Sequence, residues 1–401
     1  MGVAFLFLST LIMTNYYDKT IVGEFELARS ILLLAGAFVL IGTDRSILQI
    51  AGRLSSNNDL SQLKAIYHKI ILIYFMISCF ILSIILIIPA SWINIISLDK
   101  PMLFKVLGVL FFYALTLFNT EVFRVYGKHI WSEIYRGIFK YILLFVGVIV
   151  LLYQDLTHFI LDVFLFSFFL FSIISTLHIY PLLKVNNSKT IITYKEIIKI
   201  SFPMSLSSLG FFLLLSIDIF FLKYFKGDEL IAIYAQPVKI IALIAMIQTT
   251  LQSSISKMIA DNYYSGNMES LKLLIIKYTR LIALMSFPFL IIFLFFSKSI
   301  LLCFGEDYVS GNSVLLILLI GTTVNALCGC TGTYMNMTGR QVVFRNIIFI
   351  TVLINLILNI FLIPLYGMNG AAISSTISLI LWNIFTVVYV YAKDRLILIL
   401  N

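Results

Sequence analysis

Long apolar runs recur along the whole chain and limit its fold more than any other feature of the sequence. Twelve such runs are bounded by charged or turn-forming residues, at 1–16, 25–43, 66–90, 102–122, 138–153, 158–182, 198–222, 231–256, 280–297, 312–335, 346–364 and 369–392. A helix of about 20 apolar residues crosses the hydrocarbon core of a bilayer and satisfies its own backbone hydrogen bonds there. With 61% hydrophobic and 12% charged residues, the chain also lacks the polar surface that a water-soluble domain needs. We therefore predict an all-α polytopic membrane protein with twelve transmembrane helices.

Positive charge is distributed unequally between the two sides that this count defines. The loops after even-numbered runs, together with the C-terminal end, hold 20 of the 28 Lys and Arg residues, and the opposite loops hold 6. Because Lys and Arg are enriched in cytoplasmic loops, we predict a multi-pass protein of the cytoplasmic (inner) membrane with both termini in the cytoplasm. Topology thus accounts for the net charge of +9, and no nucleic-acid partner is expected.

The first run differs from a cleavable signal peptide. It has neither a basic leading segment nor a small-residue cleavage pattern, so it is expected to stay in the protein as a span. At 1–16 it is short for a span, and we expect the opening turns of the first helix to be missing.

An internal repeat is visible in two pairs of segments. GEFELARSI at 23–31 has the layout of AIYAQPVKI at 232–240, and SQLK at 61–64 resembles ESLK at 269–272, both at an offset of about 208 residues. The offset predicts an N-terminal six-helix bundle at 1–184, a cytoplasmic linker at 185–199 and a C-terminal six-helix bundle at 200–401. Two pseudo-symmetric halves of this kind are typical of secondary transporters.

Motifs for catalysis and for cofactor binding are absent from the sequence. There is no GxxxxGK[ST] loop for nucleotide phosphates, no HExxH and no Cys/His cluster, and the predicted external loops are short. We therefore expect no enzyme, no catalytic residue, no cofactor and no metal site. The four cysteines are expected to pack as small apolar residues.

Ionisable residues inside the spans are the candidate functional residues, because burying a charge in a bilayer is costly. Glu26 and Arg29 lie in the second run, Asp218 in the seventh and Lys239 in the eighth. Asp218 and Lys239 are predicted at similar depth, either as an ion pair that ties two helices together or as groups facing a hydrated cavity. Arg29 and Lys239 occupy nearly equivalent places in the repeat, where they could attract an anionic substrate or extend toward the outer interface. We predict Arg29 and Lys239 as substrate-binding residues and Asp218 and Glu26 as ion-coupling residues.

The C-terminal third carries a family resemblance. TGRQVVFRNIIFITVLINLILNIFLIPLYGMNGAAISSTIS at 338–378 resembles the polysaccharide-transporter branch of the multidrug/oligosaccharidyl-lipid/polysaccharide exporter superfamily, the O-antigen flippases. SFPMSLSSL at 201–209, DIFFLKYF followed by AIYAQPVKI, and FGEDYVSG at 304–311 resemble the second half of that family in the same order. The likeness is strongest from Ile200 onward. The chain departs from the family pattern at its start, where a basic cytoplasmic leader is missing.

This resemblance implies the exporter-superfamily fold and a flippase function. Members of the family move undecaprenyl-pyrophosphate-linked oligosaccharide, such as an O-antigen or capsule repeat unit, across the cytoplasmic membrane by alternating access. The implied partners are the lipid-linked oligosaccharide, membrane lipid and other polysaccharide-assembly proteins. The alternatives are a multidrug or cation exporter of the same superfamily, which should have a negatively charged cavity, and a membrane-embedded glycan polymerase or ligase, which should have a large external loop.

A break between the last two runs is predicted to be a helix hairpin. We expect Pro364 to end the eleventh span and Gly367 with Gly370 to form the turn. Ala371, Ala372 and the serines that follow would then let the twelfth span lie close to a neighbour.

Overall fold

The computed structural model describes residues 2–56, 62–95, 98–183 and 193–395. Its regular structure within these ranges is helical, without a strand, which confirms the all-α prediction. The helices in chain order are α1 (Gly2–Tyr16), α2 (Lys19–Leu40), α3 (Thr43–Ser56), α4 (Leu63–Ile87), α5 (Ala90–Ile95), α6 (Lys100–Gly108), α7 (Leu110–Val125), α8 (His129–Glu133), α9 (Lys140–Tyr153), α10 (Ile160–Ile179), α11 (Tyr194–Lys226), α12 (Asp228–Tyr264), α13 (Met268–Phe295), α14 (Ser297–Leu302), α15 (Asn312–Cys328), α16 (Thr331–Met337), α17 (Gln341–Tyr366) and α18 (Met368–Asp394).

Nine helical stretches of the described residues are long and apolar enough to cross a membrane. They are Leu63–Ile87, Lys100–Val125, His129–Tyr153, Thr157–Leu182, Asp228–Ser256, Met268–Phe295, Glu306–Cys328, Gln341–Tyr366 and Met368–Asp394, and they coincide with nine of the twelve predicted runs. The other three runs fall on α1, α2 and α11, which are helical but are not among the nine. Of these, α1 is short and α2 carries four charged residues. The chain is a multi-pass membrane protein.

The chain divides into two compact units, which we call unit 1 (Met1–Phe212) and unit 2 (Leu213–Asn401). The division falls within α11. The predicted bundle boundaries at 184 and 200 therefore stay a prediction, and residues 185–192 of the predicted linker lie outside the described residues.

A capping box begins α11. The N–H of Glu196 donates to Oγ1 of Thr193 (3.3 Å), and the N–H of Thr193 donates to Oε2 of Glu196 (2.7 Å). Each side chain thus satisfies a backbone donor that the first helical turn leaves free. The N–H and the hydroxyl of Thr193 both donate to the Glu196 carboxylate, and these two bonds hold the pKa of Glu196 below its usual range. The helix therefore begins at Tyr194, before the apolar run that predicted it.

Buried amides connect the helices of each unit. In unit 1, Nδ2 of Asn119 on α7 donates to Oγ of Ser175 on α10 (2.8 Å). In unit 2, Nδ2 of Asn383 on α18 donates to Oδ1 of Asn325 on α15 (3.0 Å). Asn325 follows Asn119 by 206 positions and Asn383 follows Ser175 by 208, close to the offset of the sequence repeat. The two units therefore place equivalent polar contacts between equivalent helices.

The hairpin between α17 and α18 differs from its prediction in two respects. Pro364 lies inside α17, which continues to Tyr366, and Gly367 makes the turn with a φ of 57°. A proline near a helix end is tolerated when neighbouring groups satisfy the backbone oxygens that it frees. Gly370 already belongs to α18 and packs against the backbone of α17.

Candidate functional site

Asp218 is the centre of a buried hydrogen-bonded cluster in unit 2. Its side chain lies on α11 and is 4% exposed. Oδ2 accepts a hydrogen bond from the hydroxyl of Tyr234 on α12 (2.7 Å) and another from the hydroxyl of Ser375 on α18. Oδ1 accepts from Nδ2 of Asn359 on α17 (2.8 Å), which also donates to Oδ1 of Asn355 (3.0 Å). Four helices therefore converge on one carboxylate.

The partners of Asp218 are neutral, and two of them have unused polar atoms. Oδ1 of Asn359 and Nδ2 of Asn355 are buried without a hydrogen-bond partner. A carboxylate among hydroxyl and amide oxygens offers the hard oxygen ligands that small cations prefer. Since it carries a single negative charge, it suits a proton or a monovalent cation. Within the described ranges, no cluster of three or more His, Cys, Asp or Glu side chains could hold a metal ion.

Lys239 is not the partner of Asp218, so the structure does not contain the ion pair that similar depth suggested. The hydrogen bonds to the Asp218 carboxylate come from Tyr234, Asn359 and Ser375. Tyr234 and Lys239 are five residues apart on α12, which turns their side chains about 140° from each other. Tyr234 lies on the face of α12 that is turned toward Asp218. Lys239, which is half-buried, therefore lies on a different face of the same helix.

Glu26 and Arg29 form an ion pair in unit 1. Both lie on α2, one helical turn apart, and the guanidinium is 3.1 Å from Oε2 of Glu26. The Glu26 side chain is 1% exposed, and that of Arg29 is 22% exposed. The phenols of Tyr113 on α7 and Tyr141 on α9 lie near the guanidinium. The pair thus places a partly accessible cation in the interior of unit 1, anchored by a buried anion.

Sequence reasoning found the four ionisable residues and missed most of their partners. Asn355 and Asn359 lie within the segment 338–378 that carries the family resemblance, and Ser375 is one of the serines after Ala372 that were expected to allow close packing. Two asparagines four residues apart in an apolar span share one helix face, which is a signal for a polar site. Tyr234 gave no such signal, because tyrosines are common throughout the chain.

Comparison with known proteins connects this architecture with exporters. A family model described as MatE matches residues 203–361. The "Probable flippase AglR" of Haloferax volcanii is 27% identical over 177 residues, which are 43% of this chain and 37% of that protein. The match therefore spans little more than a third of the length of this curated relative.

Solved structures share the fold over nearly the whole chain. A multidrug resistance MATE family transporter of the MOP superfamily has a TM-score of 0.77 at 15% identity and covers 98% of this chain and 94% of its own. The lipid II flippase MurJ has a TM-score of 0.76 at 14% identity, with coverages of 97% and 85%. The MATE multidrug transporter DinF-BH has a TM-score of 0.74 at 14% identity, with coverages of 99% and 92%. The chain therefore has the exporter fold that these transporters and this flippase share.

Proposed function

We propose that the protein is a flippase for undecaprenyl-pyrophosphate-linked oligosaccharide. The observation that carries the proposal is Arg29, a partly accessible guanidinium held inside a membrane domain by a buried glutamate. A guanidinium binds phosphate oxygens in a bidentate geometry, so it suits the diphosphate of such a lipid. The names of the relative AglR and of the structural neighbour MurJ support a lipid-linked cargo.

The finer form of the proposal follows the family resemblance. The cargo is an O-antigen or capsule repeat unit, and it moves across the cytoplasmic (inner) membrane by alternating access, with both termini of the protein in the cytoplasm. Lys239 in unit 2 is also proposed as a substrate-binding residue, because its positive charge suits an anionic cargo. Other polysaccharide-assembly proteins and membrane lipid are the proposed partners.

Asp218 is proposed to couple transport to an ion gradient. Neutral donors surround its carboxylate, so binding of a proton or a monovalent cation changes the charge of the cluster from negative to neutral. A ligand that binds one conformation more tightly than another shifts the equilibrium between them. A difference of a few kcal/mol at this cluster is enough to repopulate two conformations.

A multidrug exporter is the second candidate function. The MatE match and the multidrug transporters among the structural neighbours favour it, and the buried carboxylate of Asp218 offers an anion to a cationic drug. Arg29 favours an anionic cargo instead. The sign of the charge on the transported molecule therefore separates the two functions.

Reconstituted vesicles provide the test. Purified protein is placed in liposomes with undecaprenyl-pyrophosphate-linked oligosaccharide, and arrival of the glycan in the opposite leaflet is followed with a lectin. We expect Arg29→Ala to slow arrival about tenfold or more, because losing one charge-assisted hydrogen bond costs at least ~1.5 kcal/mol. Arg345→Ala is the matched control, since Arg345 hydrogen-bonds only its neighbour Asn346 among the contacts described for it. Transport of a lipophilic cationic dye without any movement of the glycan would overturn the proposal.

A further inference from the structure

The second long helix of the repeat differs between the two units at one place. In unit 2 it is α12, which is continuous, whereas in unit 1 a turn at Ile41 and Gly42 divides it into α2 and α3. The repeat offset of about 208 places this turn at Thr249 and Thr250, which lie inside α12. The same segment of the repeat is therefore a turn in one unit and part of a helix in the other.

Ile41 has an unfavourable backbone conformation. Its φ and ψ are 44° and 29°, in the left-handed region, where a β-branched residue is a rare outlier. Such a conformation persists only where the surrounding structure stabilises it. A right-handed helical conformation at Ile41 would remove this strain.

Contacts of the residues around Ile41 stabilise the turn. A Cβ at Gly42 would lie 2.5 Å from the carbonyl oxygen of Ser201 on α11, so the two backbones meet and only glycine fits. The hydroxyl of Ser46 on α3 shares a hydrogen bond with the hydroxyl of Ser201 (2.6 Å). The hydroxyl of Thr43 donates to the carbonyl of Leu40 (2.6 Å), which in a continuous helix accepts from a backbone N–H one turn later. The strain and these contacts thus act in opposite directions.

The buried face of α3 is compatible with both forms of the helix. Ile47 and Ala51 are buried on α3, which packs against α7. The residues one repeat later, Ile255 and Ile259, are buried on α12, which packs against α15, the equivalent of α7. A helix that continues through positions 41 and 42 therefore keeps the same apolar face toward its neighbour.

We propose that α2 and α3 join into one continuous helix in a second conformation of unit 1, with Ile41 and Gly42 as the hinge. Joining moves Ile41 into the right-handed helical region and separates Gly42 from α11. Arg29 lies on α2, so the same motion changes the position of the proposed cargo residue relative to α3. The inference goes beyond the proposed function, because the hinge serves a lipid-linked glycan and a cationic drug alike.

Distances between two spin labels distinguish the two forms. The labels are attached at Thr20→Cys, at the start of α2, and at Leu48→Cys, on α3, since both side chains are exposed. The exposed native cysteines are removed by Cys79→Ser and Cys303→Ser. A continuous helix separates the labelled positions by about 42 Å, because each residue adds ~1.5 Å, and the turn shortens this distance.

Two substitutions in the hinge should shift the distances in opposite directions. Gly42→Ala should raise the ratio of long to short distances about tenfold or more, because alanine is unfavourable in the left-handed region and favourable in a helix. Ile41→Gly should remove the long distance, because glycine adopts the left-handed region readily and weakens a helix.

Gly108→Ala is the matched control for a glycine replaced by alanine. No atom lies within 4 Å of a Cβ at Gly108 in α6, so this variant should leave the label distances unchanged. If Gly42→Ala does not accumulate, Ser46→Ala takes its place: it removes the hydrogen bond to Ser201 and should raise the ratio about threefold. A ratio in Gly42→Ala, or in Ser46→Ala where it is used, that equals the ratio in Ile41→Gly overturns the inference and leaves the flippase proposal standing. The distances need no cargo, so failure of the flippase proposal in vesicles leaves the hinge standing.

Discussion

Asp218 places a negative charge in the interior of unit 2, where neutral hydrogen-bond donors surround its carboxylate. We expect Asp218→Asn to retain folding and abundance, because an amide of nearly the same shape can accept from the Tyr234 hydroxyl and its burial costs less than that of a charge. Transport should lose its dependence on the ion gradient, since no charge remains to bind the ion. Vesicles with and without imposed proton and sodium gradients measure this dependence. Tyr234→Phe is the control, because it removes one hydrogen bond and keeps the charge.

An unchanged gradient dependence in well-expressed Asp218→Asn would exclude the coupling role. The charge exchange of Asp218→Lys with Lys239→Asp offers an independent check. Because the hydrogen bonds described for Asp218 come from Tyr234, Asn359 and Ser375 and not from Lys239, we expect this double variant not to recover the function lost in Asp218→Lys.

Arg340 binds three aromatic or acidic groups at one end of unit 2. Its guanidinium donates through two nitrogens to the carboxylate of Asp394 at the end of α18, and the ring of Tyr334 lies 5.7 Å from it. The hydroxyl of Tyr334 donates to the same carboxylate (2.8 Å), and the ring of Tyr263 on α12 lies 6.0 Å from the guanidinium. The bonds to Asp394 raise the pKa of Arg340 above its ordinary value. One side chain thus connects α12, α16 and α18.

We expect Arg340→Ala to destabilise the protein by about 1.5–3 kcal/mol, the usual contribution of hydrogen bonds to charged groups. The pair is only 14% and 13% exposed, so solvent weakens it little. Thermal unfolding of the protein in detergent measures the effect as a lower Tm. Arg345→Ala removes a nearby arginine without this network and should leave the Tm nearly unchanged. Equal Tm values for the two variants would contradict the stabilising role.

Charged residues in apolar spans can be identified from sequence, but their partners on other helices cannot. Glu26 and Arg29 are one turn apart on a helix, so their contact follows from local geometry. The partners of Asp218 come from three other helices, and sequence spacing carries no information on which faces of those helices meet. The depth argument for Lys239 failed for that reason, since depth fixes a level in the membrane and not a direction around the helix axis.

Helices were predicted well where hydropathy is continuous and poorly where it is not. Nine predicted runs coincide with apolar helical stretches. In contrast, α3 at Thr43–Ser56 is amphipathic and α16 at Thr331–Met337 is short, so averaging over a long window conceals both. The turn before α3 lies at Ile41 and Gly42, whose φ values are 44° and 72°, inside what reads as one apolar run. A hydropathy profile carries no information on backbone φ angles, so it does not reveal a turn made by residues in the left-handed region.

The α17–α18 hairpin depends on a close approach at Gly370. A Cβ at this position would lie 2.2 Å from the carbonyl oxygen of Leu362 on α17. Because this neighbour is backbone, the helices would have to separate, and overpacking of this kind costs about 1–3 kcal/mol. We expect Gly370→Ala to lower the Tm of the purified protein.

Gly108→Ala is the matched control for the hairpin. Gly108 is helical, and no atom lies within 4 Å of a Cβ built there. Alanine should therefore stabilise α6 by up to about 1 kcal/mol through its higher helix propensity. A Tm for Gly370→Ala equal to that of Gly108→Ala would show that α17 and α18 can separate at no cost.

Orientation of the whole chain in the membrane rests on the charge distribution in its loops. Twenty Lys and Arg residues fall on one predicted side and six on the other, and a miscounted span would mix the two sets. The prediction places Lys189 and Lys393 in the cytoplasm, and Asp99 and Asp307 outside. Lys189 lies outside the described residues, whereas Lys393 is exposed at the end of α18.

The native cysteines allow a direct test of this orientation. Cys303 is exposed, four residues before Asp307, whereas Cys328 and Cys330 are buried. Cys79 is exposed but lies in the apolar helix α4, away from a predicted water interface. An impermeant maleimide added to intact cells should therefore label wild type at Cys303, and Cys303→Ser should abolish the signal. In a Cys303→Ser background, Lys393→Cys should react only after the membrane is permeabilised, because that end of α18 is predicted to be cytoplasmic. Labelling of Lys393→Cys in intact cells would show that this end of α18 lies outside the cell. The predicted orientation of unit 2 would then be wrong, and the proposed cargo would reach Lys239 from the opposite side of the membrane.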